Sequence, residues 1–475
     1  MYSERKLNEY CGVFGVLDAK NSSEMGQTLY YGLYALQHRG QESCGMAVFD
    51  NHQLRLHKDM GLVNQVFHEA LLKSMTGQVG IGHTRYSTTG DSTLDNAQPV
   101  VTRTPLGALT LAHNGNLINV DELKHFLQAR GFFGYGNSDS HLVAQYINFQ
   151  MNQGLSLKDA VRTALEASRG AFSIVMATGD TLIAARDPHG LRPFCLGKTK
   201  TGALVVASET CALDIIGAQY ERDIEPGEVL VAGLDGSRES FYLDNQKPDS
   251  SENLCIFELV YFARPDSRIA GSSIYNYRMN LGKKLAEISP KIEADIVIPV
   301  PDSGNVAAVG YSQASGIPYA EGLIKNRYVG RTFINPSQEL RERGIQLKLN
   351  PLKDILDGKR VVVIDDSIVR GNTSRKIVKM LREAGAKEVH LRISSAPVRH
   401  PCFYGIDMSS EKELIANQMS VEQLQKWLDV DSLVYLSVDD MKAVAANLKS
   451  PCTACFSNEY IAGKPSDFSV QNTAV

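Results

Sequence analysis

The chain has almost no surplus charge: 49 Lys and Arg stand against 53 Asp and Glu in 475 residues, a formal net charge of -4. There is therefore no global basic field to hold nucleic acid or an anionic membrane, and any phosphate site has to be local. Long apolar runs are missing too. A stretch such as 294–300 is strand-length and stops at prolines, well short of the roughly 20 residues a membrane helix needs. The opening residues, MYSERKLNEY, lack the apolar run of a secretory signal, so the expected compartment is the cytoplasm. Eight cysteines are too sparse and too unevenly spaced for a disulfide scaffold, and only Cys452 and Cys455 form a close pair. Neither G-x-x-x-x-G-K-[ST] nor a G-x-G-x-x-G after a strand occurs, which excludes a P-loop and a dinucleotide fingerprint. What is present, 43% hydrophobic and 21% charged residues, suffices for two or three ordinary cores.

Up to about residue 243, short β-branched or alternating runs dominate, among them CGVFGVLD, QVGIGHTRYS, ALTLAHNGN, AFSIVMATG and TLIAARD. Apolar residues at three-and-four spacing predict helices over 27–37, 119–130, 140–151 and 157–168, and the mixture fits an α+β sandwich. DNQKPDSSEN, at 244–253, is polar, aperiodic and contains proline, the best linker in the chain. Beyond it strand-like runs (DIVIPVP, RVVVIDD, EVHLRISS) alternate with helical ones (VAAVGYSQAS, SRKIVKMLREAG), the pattern of an α/β domain with a mostly parallel sheet. A last periodic stretch covers 421–448. The expected layout is a propeptide at 1–10, a first domain at 11–245, a second at 255–455 and a loose tail at 456–475.

The most informative window is RVVVIDDSIVRGNTSRKIVKMLREAG, 360–385. An apolar strand ends in Asp365 and Asp366; Gly371, Asn372, Thr373 and Ser374 then open a helix, where unpaired N–H groups and the macrodipole favour a phosphate. An isolated pair of aspartates also suits turn formation and capping. Carboxylates repel phosphate, however, so beside this cradle they suit sugar hydroxyls or a divalent cation. The window resembles the phosphoribosyl-pyrophosphate (PRPP) motif of type I phosphoribosyltransferases. That resemblance implies that Asp365 and Asp366 hold the ribose hydroxyls and assist magnesium, while Ser367, Arg370, Gly371, Asn372, Thr373 and Ser374 belong to the loop around the 5′-phosphate. PVPDSG at 299–304 resembles the pyrophosphate-side loop, with Ser303 a magnesium contact. KNRYVGRTF at 325–333 resembles the flap, whose Lys325, Arg327 and Arg331 would meet the charge that develops on departing pyrophosphate; read alone, it is equally a solvated basic loop.

In the first half CGVFGV, 11–16, reads by itself as a strand with a core cysteine. Together with YYGLYALQHRGQESCG from Tyr30, GHTRYSTTG from Gly82 and LAHNGNL from Leu111, it resembles the class II glutamine amidotransferases, in which an N-terminal cysteine attacks the glutamine amide. The resemblance implies that Cys11 is the nucleophile once residues 1–10 are removed, its own α-amine (unperturbed pKa about 7.7–8.0) serving as base. Asn114 and the N–H of Gly115 would form the oxyanion hole, Arg85 would clamp the substrate carboxylate and Asp139 its ammonium. His38 and Arg39 would line the same pocket, Arg39 as a glutamine contact. His83 and His113 read as core or as catalytic with equal ease. His141 stands where relatives of this type carry glutamate.

One C-x-x-C knuckle is weak evidence for a metal. One branch of the amidophosphoribosyltransferase family, however, carries a [4Fe-4S] cluster on cysteines in contexts like NLCIFELVYFARPDS, RHPCFYGID and PCTACF, which implies Cys255, Cys402, Cys452 and Cys455 as ligands. Cys44, Cys195 and Cys211 fit no such context and are expected in cores. The whole chain resembles that family. It implies an N-terminal-nucleophile glutaminase sandwich followed by a type I phosphoribosyltransferase domain, making 5-phospho-β-D-ribosylamine, glutamate and pyrophosphate from glutamine, PRPP and water at the start of purine synthesis. It also implies one magnesium and one cluster per subunit, inhibition by purine nucleotides of the AMP and GMP type, and a homotetramer. Two other classes compete. An amidotransferase acting on a different acceptor lacks a use for the PRPP motif, and a PRPP-sensing regulator lacks a use for Cys11, Arg85 and Asn114 together.

Overall fold

The computed structural model describes residues 11–86, 93–132, 138–245, 252–326, 349–406, 408 and 411–465. The expected propeptide, Arg327 and Arg331 lie outside these residues, as does most of the expected linker. Among the described residues no helix is long and apolar enough to cross a membrane.

Two antiparallel sheets form the first half. The seven-stranded one runs in the spatial order Gln219–Asp223, Cys195–Lys198, Leu204–Ala207, Gly12–Leu17, Val79–Arg85, Ser43–Asp50, Gln53–Met60. The six-stranded one runs Arg238–Tyr242, Glu228–Gly233, Thr181–Arg186, Gly170–Ala177, Gly107–Leu117, Val100–Thr104. Val13, Ile81, Val175, Leu182 and Val206 meet between them, each at most 1% exposed. Full burial of such a side chain is worth about 1.5–3 kcal/mol, so this shared layer clamps one sheet to the other. Helix Met25–Ala35 covers the outer face of the first sheet through Met25, Leu29 and Leu33. Helices Val120–Gln128, Asp139–Asn152 and Leu157–Glu166 cover the second. The result is the expected sandwich, with the four expected helices within two residues of their expected ends.

The second half holds a four-stranded parallel sheet, ordered Ile296–Pro299, Arg360–Asp365, Glu388–Ile393, Ser432–Tyr435. Period-two alternation on the second strand sends Val361 and Val363 into one layer with Ile377 and Leu381, and Val362 and Ile364 into the other with Leu281 and Ala308. In that second layer helices Ile274–Ile288 and Asn305–Ser315 approach backbone to backbone. A Cβ added to Gly282 would stand 1.9 Å from the Ala307 carbonyl oxygen, and one added to Gly310 would stand 2.0 Å from that of Met279. Only glycine permits so close a crossing.

Two expectations change. The stretch 421–448, read as one periodic segment, is helix Val421–Leu428, strand Ser432–Tyr435 and helix Val438–Val444. Asp429 turns left-handed (φ 60°) and the strand is captured as the sheet's edge. The start of the expected tail is also docked: Tyr460 donates to the Pro401 carbonyl (2.6 Å) and Tyr404 to the Gly463 carbonyl (2.9 Å).

Candidate active sites

Cys11 lies one residue ahead of strand Gly12–Leu17, whose first paired residue is Gly12, opposite Thr84. The thiol is 9% exposed and donates to the Tyr86 carbonyl at 3.5 Å. Burial pushes it up to about 11, and the charges of Arg85 and Asp139 both reach it. Cys11, Arg85 and Asp139 therefore share one electrostatic neighbourhood although they come from a strand start, a strand end and a helix start.

Asn114 and Gly115 sit on strand Gly107–Leu117, opposite Ser173 and Phe172. The Asn114 side chain is completely buried, and neither its amide nitrogen nor its amide oxygen has a partner among the described residues. A buried amide with both ends unmatched forfeits on the order of 1–3 kcal/mol per group, so this one is poised for a partner other than the described residues. Gly115 holds φ +147°; a Cβ there would stand 2.0 Å from the Ala171 carbonyl oxygen.

Asp139 opens helix Asp139–Asn152. One carboxylate oxygen accepts from the Leu117 N–H (3.2 Å), the other from the Ser140 N–H (2.7 Å) with His113 Nδ1 at 3.4 Å. Burial alone would raise this carboxyl, but His113 and those N–H groups outweigh it and hold it below its ordinary value. Gln98, which no sequence pattern picked out, accepts from the His113 N–H (2.7 Å) and donates to Ser140 (2.9 Å), lacing the two segments together. His83 faces the His113 carbonyl at 3.1 Å, and burial pushes it down to about 3, so it is neutral near pH 7. His141 meets Ser138 Oγ at 2.8 Å and burial pushes it down to about 4. It therefore brings no positive charge to the helix start where an acidic residue was the expected occupant.

Arg39 is placed behind Cys11. Its Nε donates to the Cys11 carbonyl at 3.1 Å, while its fork meets Glu209 (2.5 Å) and both oxygens of Glu258 (2.6 and 3.1 Å). His38, expected in the glutamine pocket, pairs with Glu209 at 2.7 Å. Burial alone would raise the Glu209 carboxyl, yet His38 and Arg39 hold it far below its ordinary value. Glu209 and Glu258 were not legible in sequence.

In the second half Asp365 ends strand Arg360–Asp365 and Asp366 follows it, 7% and 5% exposed. Asp366 accepts from the Ser367 hydroxyl. Helix Asn372–Glu383 begins after Gly371, so the expected strand, loop and helix are all present. The 299–304 loop lies alongside: the Val300 N–H donates to the Ile364 carbonyl at 2.8 Å, and helix Asn305–Ser315 follows. The Asn305 side-chain oxygen is buried without a partner among the described residues. Lys325 pairs with Asp302, and Arg370 with Glu413 (2.9 Å). Arg278 is pushed down to about 10 by burial, with the Asp366 charge opposing that shift.

The four cysteines expected as cluster ligands come from three segments that meet. Cys255 and Cys452 form a β-bridge, and the Arg399 and His400 N–H groups both donate to the Cys455 carbonyl at 3.0 Å, just before Cys402. Burial raises the thiols of Cys402, Cys452 and Cys455; the charge of Cys255 reaches all three, and Cys455 also feels Cys402 and Cys452. Among the described residues, no group of three or more His, Cys, Asp or Glu side chains stands close enough to hold a metal ion. Neither these thiols nor Ser303, Asp365 and Asp366 make a compact single-ion site. Cys44, Cys195 and Cys211 are core residues, as expected.

Comparison with known proteins bears on both halves. A family profile for a glutamine amidotransferase domain matches residues 83–214, and one for a phosphoribosyl transferase domain matches 272–398. An amidophosphoribosyltransferase of Synechocystis is 52% identical over 460 residues, 96% of this chain and 91% of the relative. Its Bacillus subtilis counterpart is 46% identical over 460 residues, 96% and 94% of the two chains. A solved structure described as the allosteric regulatory enzyme of purine biosynthesis superposes with a TM-score of 0.89 at 45% identity, covering 96% of this chain and 97% of that one. The glutamine PRPP amidotransferase of B. subtilis, complexed with ADP and GMP, gives 0.87 at 46% identity over 95% and 97%.

Proposed function

This chain belongs to the amidophosphoribosyltransferase family, and from that premise we propose how its residues divide the work. The enzyme hydrolyses glutamine and transfers the ammonia to PRPP, giving 5-phosphoribosylamine, glutamate and pyrophosphate, the first step of purine biosynthesis. The domains run from 11 to 245 and from 255 to 455.

Cys11 is the nucleophile. With residues 1–10 attached its nitrogen is an amide and its thiol stays protonated near neutrality. Cleavage before Cys11 frees an amine that takes the thiol proton as sulfur attacks the glutamine amide carbon. The amide C–N bond breaks, ammonia leaves, and water hydrolyses the thioester to glutamate. Asn114 and the Gly115 N–H stabilise the tetrahedral oxyanion in both halves, while Arg85 and Asp139 hold the substrate's carboxylate and ammonium. The observation that carries this reading is the buried Asn114 amide with neither end matched.

In the second domain Asp365 and Asp366 accept from the ribose hydroxyls, and the 367–374 loop with the following helix start binds the 5′-phosphate. Ammonia attacks C1 as pyrophosphate leaves, and Lys325, Arg327 and Arg331 neutralise the departing charge. Free ammonia is mostly protonated in water and then has no lone pair, which calls for an enclosed route between the sites. Magnesium, held through Ser303, Asp365 and Asp366, would supply charge neutralisation at the pyrophosphate. A [4Fe-4S] cluster on Cys255, Cys402, Cys452 and Cys455 would be structural. An all-thiol set brought together from three segments, with Cys255 and Cys452 bridged, suits a group wider than one ion. Purine nucleotides of the AMP and GMP type act as inhibitors, a reading that the B. subtilis enzyme's complex with ADP and GMP supports, and the subunit assembles as a homotetramer.

Cys11→Ala tests the division of labour. Glutamine-dependent synthesis is expected to vanish while synthesis from high ammonium persists, because the transferase site does not use the thiol. Loss of both activities in a folded variant refutes the two-site reading.

A further inference from the structure

We propose that Glu258, a residue of the second domain, is a positioning residue for glutamine hydrolysis in the first: it aims Arg39 at the Cys11 carbonyl and so fixes the nucleophile. This rests on Cys11 being the nucleophile, as argued above.

A chain's first residue has no predecessor to fix it, and termini fray unless tied down. Cys11 stands one residue outside the strand ladder, so its orientation depends on what holds its carbonyl. The hydrogen bond from Arg39 Nε does this at 3.1 Å. Arg39 is itself a long, rotamer-rich side chain leaving a turn, with its N–H on the Leu36 carbonyl. Its direction is set by the other end of the guanidinium, where Glu258 takes both terminal nitrogens, at 2.6 and 3.1 Å, and Glu209 takes one at 2.5 Å. A bidentate carboxylate fixes the plane of the fork, and that plane aims Nε.

Glu258 is fixed in turn. Its N–H donates to the Cys255 carbonyl (3.1 Å), its carbonyl accepts from the Ala263 N–H (3.0 Å), and Arg192 Nη1 reaches its carboxylate at 3.4 Å. Arg192 Nε also donates to the Tyr404 carbonyl at 3.0 Å, again in the second domain. Arg39, Arg192, Glu209 and Glu258 are each at most 1% exposed. Two cations and two anions balance in a dry site, where satisfied networks are rigid and half-satisfied ones fail. The glutaminase site is therefore completed by a carboxylate from beyond the linker, 219 residues from Arg39.

Glu258→Gln keeps the shape and removes the charge. Misplacing a reacting group by about 1 Å is worth up to 100-fold in rate. The variant is expected to lose 10- to 100-fold in kcat for glutamine hydrolysis, with the glutamine KM within about threefold, because Arg85 and Asp139 are untouched. Synthesis from ammonium and PRPP is expected to stay within twofold of wild type. Arg39→Gln is expected to match it, and the double variant to be no worse than either single one, since the two act as a unit. Glu258→Asp retains the charge but withdraws it by one methylene; it serves if the glutamine variant does not accumulate, with a several-fold kcat loss expected. An unchanged kcat, a KM rise alone, additive losses in the double variant, or an equal fall in ammonium-dependent synthesis overturns the proposal. Cys11→Ala run alongside tests the parent reading separately: that reading fails if this variant still hydrolyses glutamine, whereas the Glu258 proposal fails on the outcomes just named while Cys11→Ala remains inactive with glutamine.

Discussion

Gly115→Ala probes the proposed oxyanion hole without touching the nucleophile. The glycine holds φ +147°, which an alanine tolerates only with about 1–3 kcal/mol of strain. Its new methyl would stand 2.0 Å from the Ala171 carbonyl oxygen, 2.7 Å from the carbonyl carbon and 2.8 Å from His113 Nε2. The first contact is more than an ångström inside van der Waals range, and it is with backbone, which cannot rotate away. Strand Gly107–Leu117 must therefore lift from Gly170–Ala177 at the point where Gly115 faces Phe172. Lifting tilts the Gly115 N–H and the neighbouring Asn114 amide away from the oxyanion position. Removing one such donor costs about 2.7–4 kcal/mol of transition-state stabilisation, or 100- to 1,000-fold in kcat. Glutamate release at saturating glutamine gives kcat, and phosphoribosylamine formation from ammonium reports on the second site and on folding. The expected result is a kcat loss in that range, a glutamine KM within about threefold, and intact ammonium-dependent synthesis. A folded variant whose glutamine kcat stays within threefold of wild type refutes the assignment of this N–H.

Asp366→Ala is expected to leave basal glutamine hydrolysis intact and to abolish phosphoribosylamine formation; unchanged synthesis removes the diol assignment. Protein purified without oxygen is expected to contain iron and acid-labile sulfide in a one-to-one ratio, and absence of both rejects the cluster. His83 and His141 are neutral in the fold but bind protons below about pH 6.5 once unfolded. Each therefore lends stability that is complete above that pH and shrinks by about 1.4 kcal/mol per unit as pH falls toward 3 and 4 respectively. The drop in Tm between pH 7 and pH 5 should accordingly be smaller in His83→Gln than in wild type, and an equal drop counts against a neutral buried His83. Mass spectrometry of the mature protein is expected to find Cys11 first, and a chain still beginning at Met1 with full glutaminase activity excludes the amine as base.

What could be read from sequence was local. Asp365, Asp366 and the loop to Ser374 form one continuous strand, turn and helix, so spacing carries their geometry. The helix starts after Gly371 and around Asp139 were legible for the same reason. Glu258, Glu209 and Arg192 were not, because each meets its partner only after the chain has folded back over many tens of residues, and a lone glutamate in FELV carries no pattern. Gln98 escaped likewise: its amide laces His113 to Ser140, a job visible only once a strand and a helix are neighbours. At Ser432–Tyr435 the single periodic stretch read over 421–448 misled, since four of its residues pair as the open edge of a parallel sheet, a contact that no local pattern shows.

The crossing of Gly282 and Gly310 sets a mechanical limit on the transferase half. With backbone against backbone at two points, helices Ile274–Ile288 and Asn305–Ser315 make a single stiff plate, and the 299–304 loop is bolted to its rim. Ser303 thus rides on an anvil. If PRPP binds there as proposed, whatever closes on it must travel to this loop, because the plate does not bend to meet the ligand. A side chain introduced at Gly310 would act as a wedge, tipping the rim from about a turn and a half away. Its signature would be weakened PRPP affinity from a residue that never touches PRPP.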